Sequence, residues 1–250
     1  MALNVGDLLL LAVAATGAGV VNAVAGGGSL LTFPALLAVG YPAVTANVTN
    51  AVAVAPANLS GAAAYRRELS GQRVRARSLM VASGLGAGLG TALLLLGSPS
   101  VFESLVPFLV LVATGLLAAQ PLIARMLRRG GAEPHPHAVV AVVLLAATYG
   151  GYFGAGLGIM FLALLGLFLE EELQRLNALK VLLSLVVSIV TALGVACFGP
   201  VAWLPAVLMA VCSMVGGWVG VTLARRLRER YLRWGIVAFG LLIATVLATR

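Results

Sequence analysis

Apolar positions run along the chain in long stretches, set apart by short polar or Gly/Pro interruptions. Five stretches, 43–65, 78–96, 101–124, 175–198 and 202–224, are long enough to cross a bilayer as single helices, which takes about 20 apolar residues. Two others behave differently. Segment 6–40 is interrupted at Gly26, Gly27 and Gly28, and segment 138–169 at Gly154, Gly156 and Gly158. Glycine is a poor helix former and frees the backbone to turn. Each segment therefore reads as two pieces, 6–24 with 29–40 and 138–153 with 159–169, and the second pieces are too short for an ordinary crossing. A rather short stretch, 234–249, closes the chain. The pattern predicts an all-α, polytopic helical membrane protein of about eight spans.

Composition supports this class and removes others. Of the 250 residues 61% are hydrophobic and 10% charged, with a mean hydropathy of +1.07. A soluble domain is about a quarter charged, so a soluble globular protein, a disordered chain and a nucleic-acid binder are excluded despite the net charge of +8. The charge instead sets orientation. Loops 66–77, 125–137 and 225–233 hold 13 of the 16 basic residues, whereas turns 97–100 and 199–201 hold none. Positive residues beside span ends face the cytoplasm, so all three loops are expected inside a bacterial inner membrane. No Arg or Lys precedes the first apolar run, which lacks the basic flank of a signal peptide; residue 1 is expected to belong to the mature chain. Cys197 and Cys212 match no metal or disulfide framework and are expected to be small buried apolar residues.

These orientations make 43–65 run outside to inside and 175–198 inside to outside, although each follows a glycine-broken segment. Corresponding places with opposite directions are the signature of an inverted-topology repeat. At an offset of about 130, the run 17–28 falls on 147–158, and Asn47, Thr49 and Asn50 fall opposite Asn177 and Lys180. The expected division is a first transmembrane repeat at 1–124, a cytoplasmic linker at 125–137 and a second repeat at 138–250.

Paired glycine interruptions are the best sequence pointer to a midplane binding site in transporters. A helix that restarts inside the membrane leaves N–H groups unpaired, and with the positive end of its dipole these attract an anion. Here the restarts fall near Ser29 and Ile159. The scattered Gly84, Gly86, Gly88 and Gly90 read instead as close helix packing. Polar residues inside apolar spans are expensive and face a cavity or a partner. They are Asn22, Asn47, Thr49, Asn50 and Asn58 in the first half, and Tyr149, Tyr152, Asn177, Lys180, Ser184 and Ser188 in the second. Asn47, Asn50 and Asn58 fall near one helix face. Lys180, the only lysine, reads equally as an anion-site cation or as an anchor snorkelling to the cytoplasmic surface. The expected substrate-binding set is Asn22, Gly26, Gly27, Gly28, Ser29, Asn47, Thr49, Asn50, Tyr152, Gly154, Gly156, Gly158, Asn177 and Lys180.

Absences narrow the chemistry. No Asp or Glu lies deep in any predicted span, which argues against a carboxylate proton relay or cation site. His135 and His137 sit in a Pro-rich loop and are expected to be exposed. No Walker, zincin or nucleophile-elbow motif occurs, so no enzyme, cofactor or metal site is expected. The partners expected are a small anionic substrate and the lipid bilayer, with no nucleic acid; the oligomeric state stays open. An anion channel would share the same site. A non-transporting assembly or sensor component would call for long extramembrane loops, and the basic loops here are only about a dozen residues.

The run Asn22-Ala23-Val24-Ala25-Gly26-Gly27-Gly28-Ser29, with Pro34 behind it and Asn47-Val48-Thr49-Asn50 further on, resembles the first repeat of the sulfite exporter TauE/SafE family of bacterial membrane proteins. Tyr149-Gly150-Gly151-Tyr152-Phe153-Gly154, with Asn177 and Lys180, is similar to the second. The resemblance covers essentially the whole chain. It implies a permease of about eight helices in two repeats that moves sulfite or organosulfonate-type anions, usually outward. In one place the chain departs from the pattern: family members often carry Lys directly after the Thr-Asn of the first repeat, where this chain has Ala51.

Overall fold

In the computed structural model, which describes residues 3–24, 27–64, 68–69, 71–127, 136–169 and 171–224 with a few positions between 234 and 245, both interrupted segments are broken helices. The first gives α1 (Val5–Val24) and α2 (Ser29–Ala38), and the second gives α6 (Pro136–Tyr152) and α7 (Leu157–Phe168). At 1.5 Å per residue, the 10 residues of α2 and 12 of α7 reach about 15 and 18 Å. That is roughly half of a 30 Å hydrocarbon core.

The unbroken stretches become α3 (Ala43–Ala64), α4 (Arg73–Leu96), α5 (Pro99–Leu127), α8 (Leu173–Phe198) and α9 (Trp203–Ala224), and no strand occurs among the described residues. α4 starts before its apolar run, so Arg73, Arg75 and Arg77 lie on its exposed first turns and not in a loop. Arginine is a good helix former, and nothing in 73–77 stops the helix. The basic stretches 125–137 and 225–233 lie largely outside the described residues, as does most of 234–249. Positions described there between 234 and 245 are helical, with Val237 and Ala244 buried. Four described helical stretches, Val5–Asn22, Arg73–Leu96, Pro99–Ala119 and Gln174–Phe198, are long and apolar enough to cross a membrane.

Large apolar side chains also face outward, as a lipid-bathed surface allows: Leu85, Leu89 and Leu93 on α4, Val207, Val211 and Met214 on α9. Cys197 belongs to this outer surface. It is exposed beside Leu193 and Phe198, and Cys212 is only partly buried, so the expectation of two buried cysteines is corrected. Lipid tails are as apolar as a protein core, and apolar neighbours in sequence therefore do not separate the two surroundings. His137 is exposed, and His135 lies outside the described residues.

Two apolar cores form, and each draws on both halves of the sequence. One gathers α1, α2, α3 and α5 with Met209 of α9; the other gathers α4 with α6, α7 and α8. The pairings repeat: α1 lies along α9 as α6 lies along α4, and α3 packs on α9 as α8 packs on α4. α3 and α8, corresponding helices, pack on each other. The packing thus exchanges α4 and α9 between the parts of the sequence on either side of 125–137.

Glycine makes the exchanged pairs possible. A Cβ at Gly216 would collide with the Thr16 carbonyl, one at Gly19 with the Ser213 carbonyl, and ones at Gly86 and Gly90 with the carbonyls of Leu144 and Thr148. Gly86 and Gly216 stand 130 apart and do the same work in the two pairs. Gly84 and Gly88 have ordinary contact or open space, so the packing role holds for two of the four glycines of α4. Gly216→Ala is expected to lower stability by about 1–3 kcal/mol, the usual cost of overpacking against atoms that cannot give way. Gly88→Ala is expected to be neutral or to stabilise by about 0.5–1 kcal/mol, as alanine does for glycine inside a helix. Thermal unfolding of the purified protein in detergent measures both.

Candidate functional site

The breaks are left-handed backbone that glycine alone accepts easily. Gly27 has φ +90°, and Gly154 and Gly156 have φ +80° and +75°. Each break is held by a nearby side chain. The Gly28 N–H donates to Asn22 Oδ1 at 2.8 Å, tying the start of α2 back to α1. In the second break the Tyr149 hydroxyl donates to the Ala155 carbonyl at 2.6 Å. α7 then starts without a side-chain cap, and the N–H groups of Ala155, Gly156 and Gly158 meet no acceptor among the described residues. Both breaks lean on α5. A side chain at Gly27 would reach Leu117 at 3.7 Å, and one at Gly156 would lie 3.3 Å from Ala113 Cα. Ala113 and Leu117 are one helical turn apart, so the breaks meet at nearly one level.

α3 and α8 complete the enclosure. The Asn47 amide donates to the Tyr152 carbonyl at 2.9 Å, which ties α3 to the end of α6. The Thr32 hydroxyl donates to Asn50 Oδ1. Asn58 Nδ2 donates to Ser188 Oγ at 2.6 Å across the α3–α8 contact. On α8, Lys180, Ser184, Ser188 and Thr191 recur at spacings of four, four and three, a single helix face. From Lys180 to Val195 that face extends about 22 Å at the α-helical rise.

These elements surround one cavity of about 170 Å³ between the two cores. Among the described residues no carboxylate lines it. The Lys180 stem passes the start of α7, its Cδ 3.9 Å from where a Cβ on Gly158 would be. Its ammonium has no hydrogen-bond or ion-pair partner among the described residues, and Ser184 Oγ is buried and likewise unpartnered. The arrangement offers one cation, several neutral donors and free backbone N–H groups, all of which suit an anion.

Of the residues expected from sequence, Asn22, Gly27, Ser29, Asn47, Asn50, Gly154, Gly156, Gly158 and Lys180 line this cavity. Others stand behind it. Gly28 is pressed against the Ala18 carbonyl and the Asn22 side chain. Thr49 Oγ1 accepts the Ala202 N–H at 3.0 Å, at the entry to α9. Tyr152 contributes its carbonyl to Asn47, and its ring packs edge-on against Phe102 at 5.5 Å. Asn177 is half-buried outside the lining. Gly26 lies outside the described residues. The cavity also takes in Asn58, Ser184, Ser188 and Thr191, which the expected set omits. The signal for Asn58 and Ser188 was available, because they stand 130 apart, the offset of the repeat.

The sulfite exporter TauE/SafE family model matches residues 11–247. The chain belongs to this family. Among its relatives, a probable membrane transporter protein, ORF9, of Sinorhizobium sp is 28% identical over 85% of this chain and 81% of its own length. A probable membrane transporter protein of Haemophilus influenzae is 28% identical over 80% of this chain and 78% of its own. The probable membrane transporter protein YfcA of Escherichia coli K12 is 26% identical over 88% and 81%. No solved structure matches the chain. As a TauE/SafE member with apolar spanning helices, the protein is a multi-pass membrane transporter, and both broken helices reach this cavity.

A water-reachable cavity is directly testable. With Cys197 and Cys212 first replaced by serine, Ala51→Cys, at a partly exposed position of the cavity wall, is expected to react with a charged, membrane-impermeant thiol reagent. Leu183→Cys, fully buried in the second core, is expected to stay unlabelled. Labelling of purified protein followed by mass shift reads both.

Proposed function

We propose that this TauE/SafE transporter exports small sulfur anions, sulfite or organosulfonates, across a bacterial inner membrane by alternating access around the cavity between its repeats. One observation carries the reading: among the described residues, the space where the two glycine breaks meet contains an unpartnered ammonium and no carboxylate. Anionic oxygens would accept from the backbone N–H groups of the second break and from Asn22, Asn47 and Asn50, with Lys180 supplying the counter-charge. The basic stretches 66–77, 125–137 and 225–233 would face the cytoplasm. A negative-inside potential then favours exit of each negative charge by about 2.3 kcal/mol per 100 mV, and export by this route needs no coupling ion.

The assay is efflux of labelled sulfite and of a labelled alkylsulfonate from proteoliposomes at a fixed membrane potential. Lys180→Gln is expected to lower the flux by at least about tenfold, a loss of roughly 1.4 kcal/mol in stabilisation along the transport path. Val13→Ala, on the outward face of α1, is expected to leave it unchanged. Undiminished flux in Lys180→Gln overturns the assignment of the site.

A further inference from the structure

The offset of 130 pairs Asn50 on α3 with Lys180 on α8, an amide in the first half and an ammonium in the second. Both line the cavity. Asn50 Oδ1 is occupied by the Thr32 hydroxyl, so what Asn50 has left to offer is its amide N–H. Across the pseudo-symmetric pair the cavity therefore carries one side-chain charge where a fully symmetric pair of lysines would carry two. The other free donors are neutral: the Ser184 hydroxyl, buried without a partner, and the backbone N–H groups of the second break. Neutral donors solvate a charge, but they do not cancel it.

We infer that the cavity selects singly charged anions over doubly charged anions of the same shape, and that the Asn50–Lys180 inequivalence sets this selectivity. The inference rests on the proposed anion site and narrows its substrate class by charge state. A monoanion entering the cavity is neutralised by Lys180. A dianion brings a second charge with no counter-charge among the described lining residues, and an unpaired charge away from bulk water is strongly disfavoured.

Methanesulfonate and methylphosphonate share a methyl group and a tetrahedral three-oxygen head but differ in charge once the phosphonate loses its second proton. Calorimetric titration of the full chain in detergent compares the two at alkaline pH, where the phosphonate is a dianion, and at mildly acidic pH, where it is a monoanion. Methanesulfonate is expected to bind at both. Methylphosphonate is expected to bind comparably when singly charged and at least about tenfold more weakly relative to methanesulfonate when doubly charged. Asn50→Lys is expected to reduce or reverse that discrimination. Equal binding of dianion and monoanion to the unaltered protein overturns the charge selection and leaves the anion site standing. Failure of both probes to bind overturns the anion site itself. The two-pH comparison on the unaltered chain decides the matter even where Asn50→Lys does not fold, and a folded Asn50→Lys protein with unchanged discrimination also counts against the inference.

Discussion

Hydrocarbon offers no hydrogen bonds, so a backbone that leaves the helix halfway through a membrane must be served by protein or by a water-filled cavity. The rest of this structure follows from that constraint. Twice the chain stops and restarts inside the bundle. Asn22 receives the Gly28 N–H, the Tyr149 hydroxyl reaches the Ala155 carbonyl, and the Asn47 amide reaches the Tyr152 carbonyl. Phe153 fills the space beside the second break, its ring 5.3 Å from that of Phe33 on α2. Among the described residues the N–H groups of Ala155, Gly156 and Gly158 keep no acceptor, and Gly156 and Gly158 line the cavity.

Shielding two breaks with one short chain explains the exchanged packing. A broken helix has fewer turns to bury than a full span, so each needs a close neighbour along its longer piece. α9 serves α1 and α4 serves α6, with Gly216 and Gly86 at corresponding positions allowing backbone to touch backbone. Ser213 and Ser83, 130 apart, are both buried on these same helices. The second element of symmetry is the α3–α8 contact. Asn58 and Ser188, 130 residues apart, touch each other across it, and both line the cavity.

Much of this was legible in the sequence. Element positions followed from apolar length and from two glycine clusters, because membrane helices have a fixed minimum length and glycine marks where the ladder can stop. The Asn-rich face of α3 and the single lysine pointed to the cavity, because polar groups in spans must find a polar place. What was not legible had physical causes as well. The exchange of α4 and α9 depends on which glycine faces which carbonyl; Gly88 and Gly86 are indistinguishable in sequence, yet one meets open space and the other a neighbouring backbone. Thr49 sits in the same polar run as Asn47 and Asn50 but turns toward α9, where it accepts the Ala202 N–H. Cys197 was read as core because lipid and core are equally apolar. Ser184 and Ser188 stand out as polar residues within a span, but they and Thr191 fall outside the expected set because serine and threonine can satisfy themselves on their own helix; only the three-dimensional face shows that they line a shared space.

The two kinds of contact differ in what they cost to break. Within each exchanged pair, backbone lies on backbone through glycine, and separating it exposes close-packed surface along several turns. Between the two cores, on the α3–α8 and α3–α6 seams, the polar contacts described are side-chain hydrogen bonds, Asn58 to Ser188 and Asn47 to the Tyr152 carbonyl. Each such bond contributes about 0.5–1.5 kcal/mol net, and water entering the cavity can replace it. A rearrangement that keeps both pairs intact would break these bonds and part the Phe33–Phe153 and Phe102–Tyr152 ring contacts. One that splits α1 from α9 or α4 from α6 would part the backbone-to-backbone contacts at Gly216 and Gly86 instead.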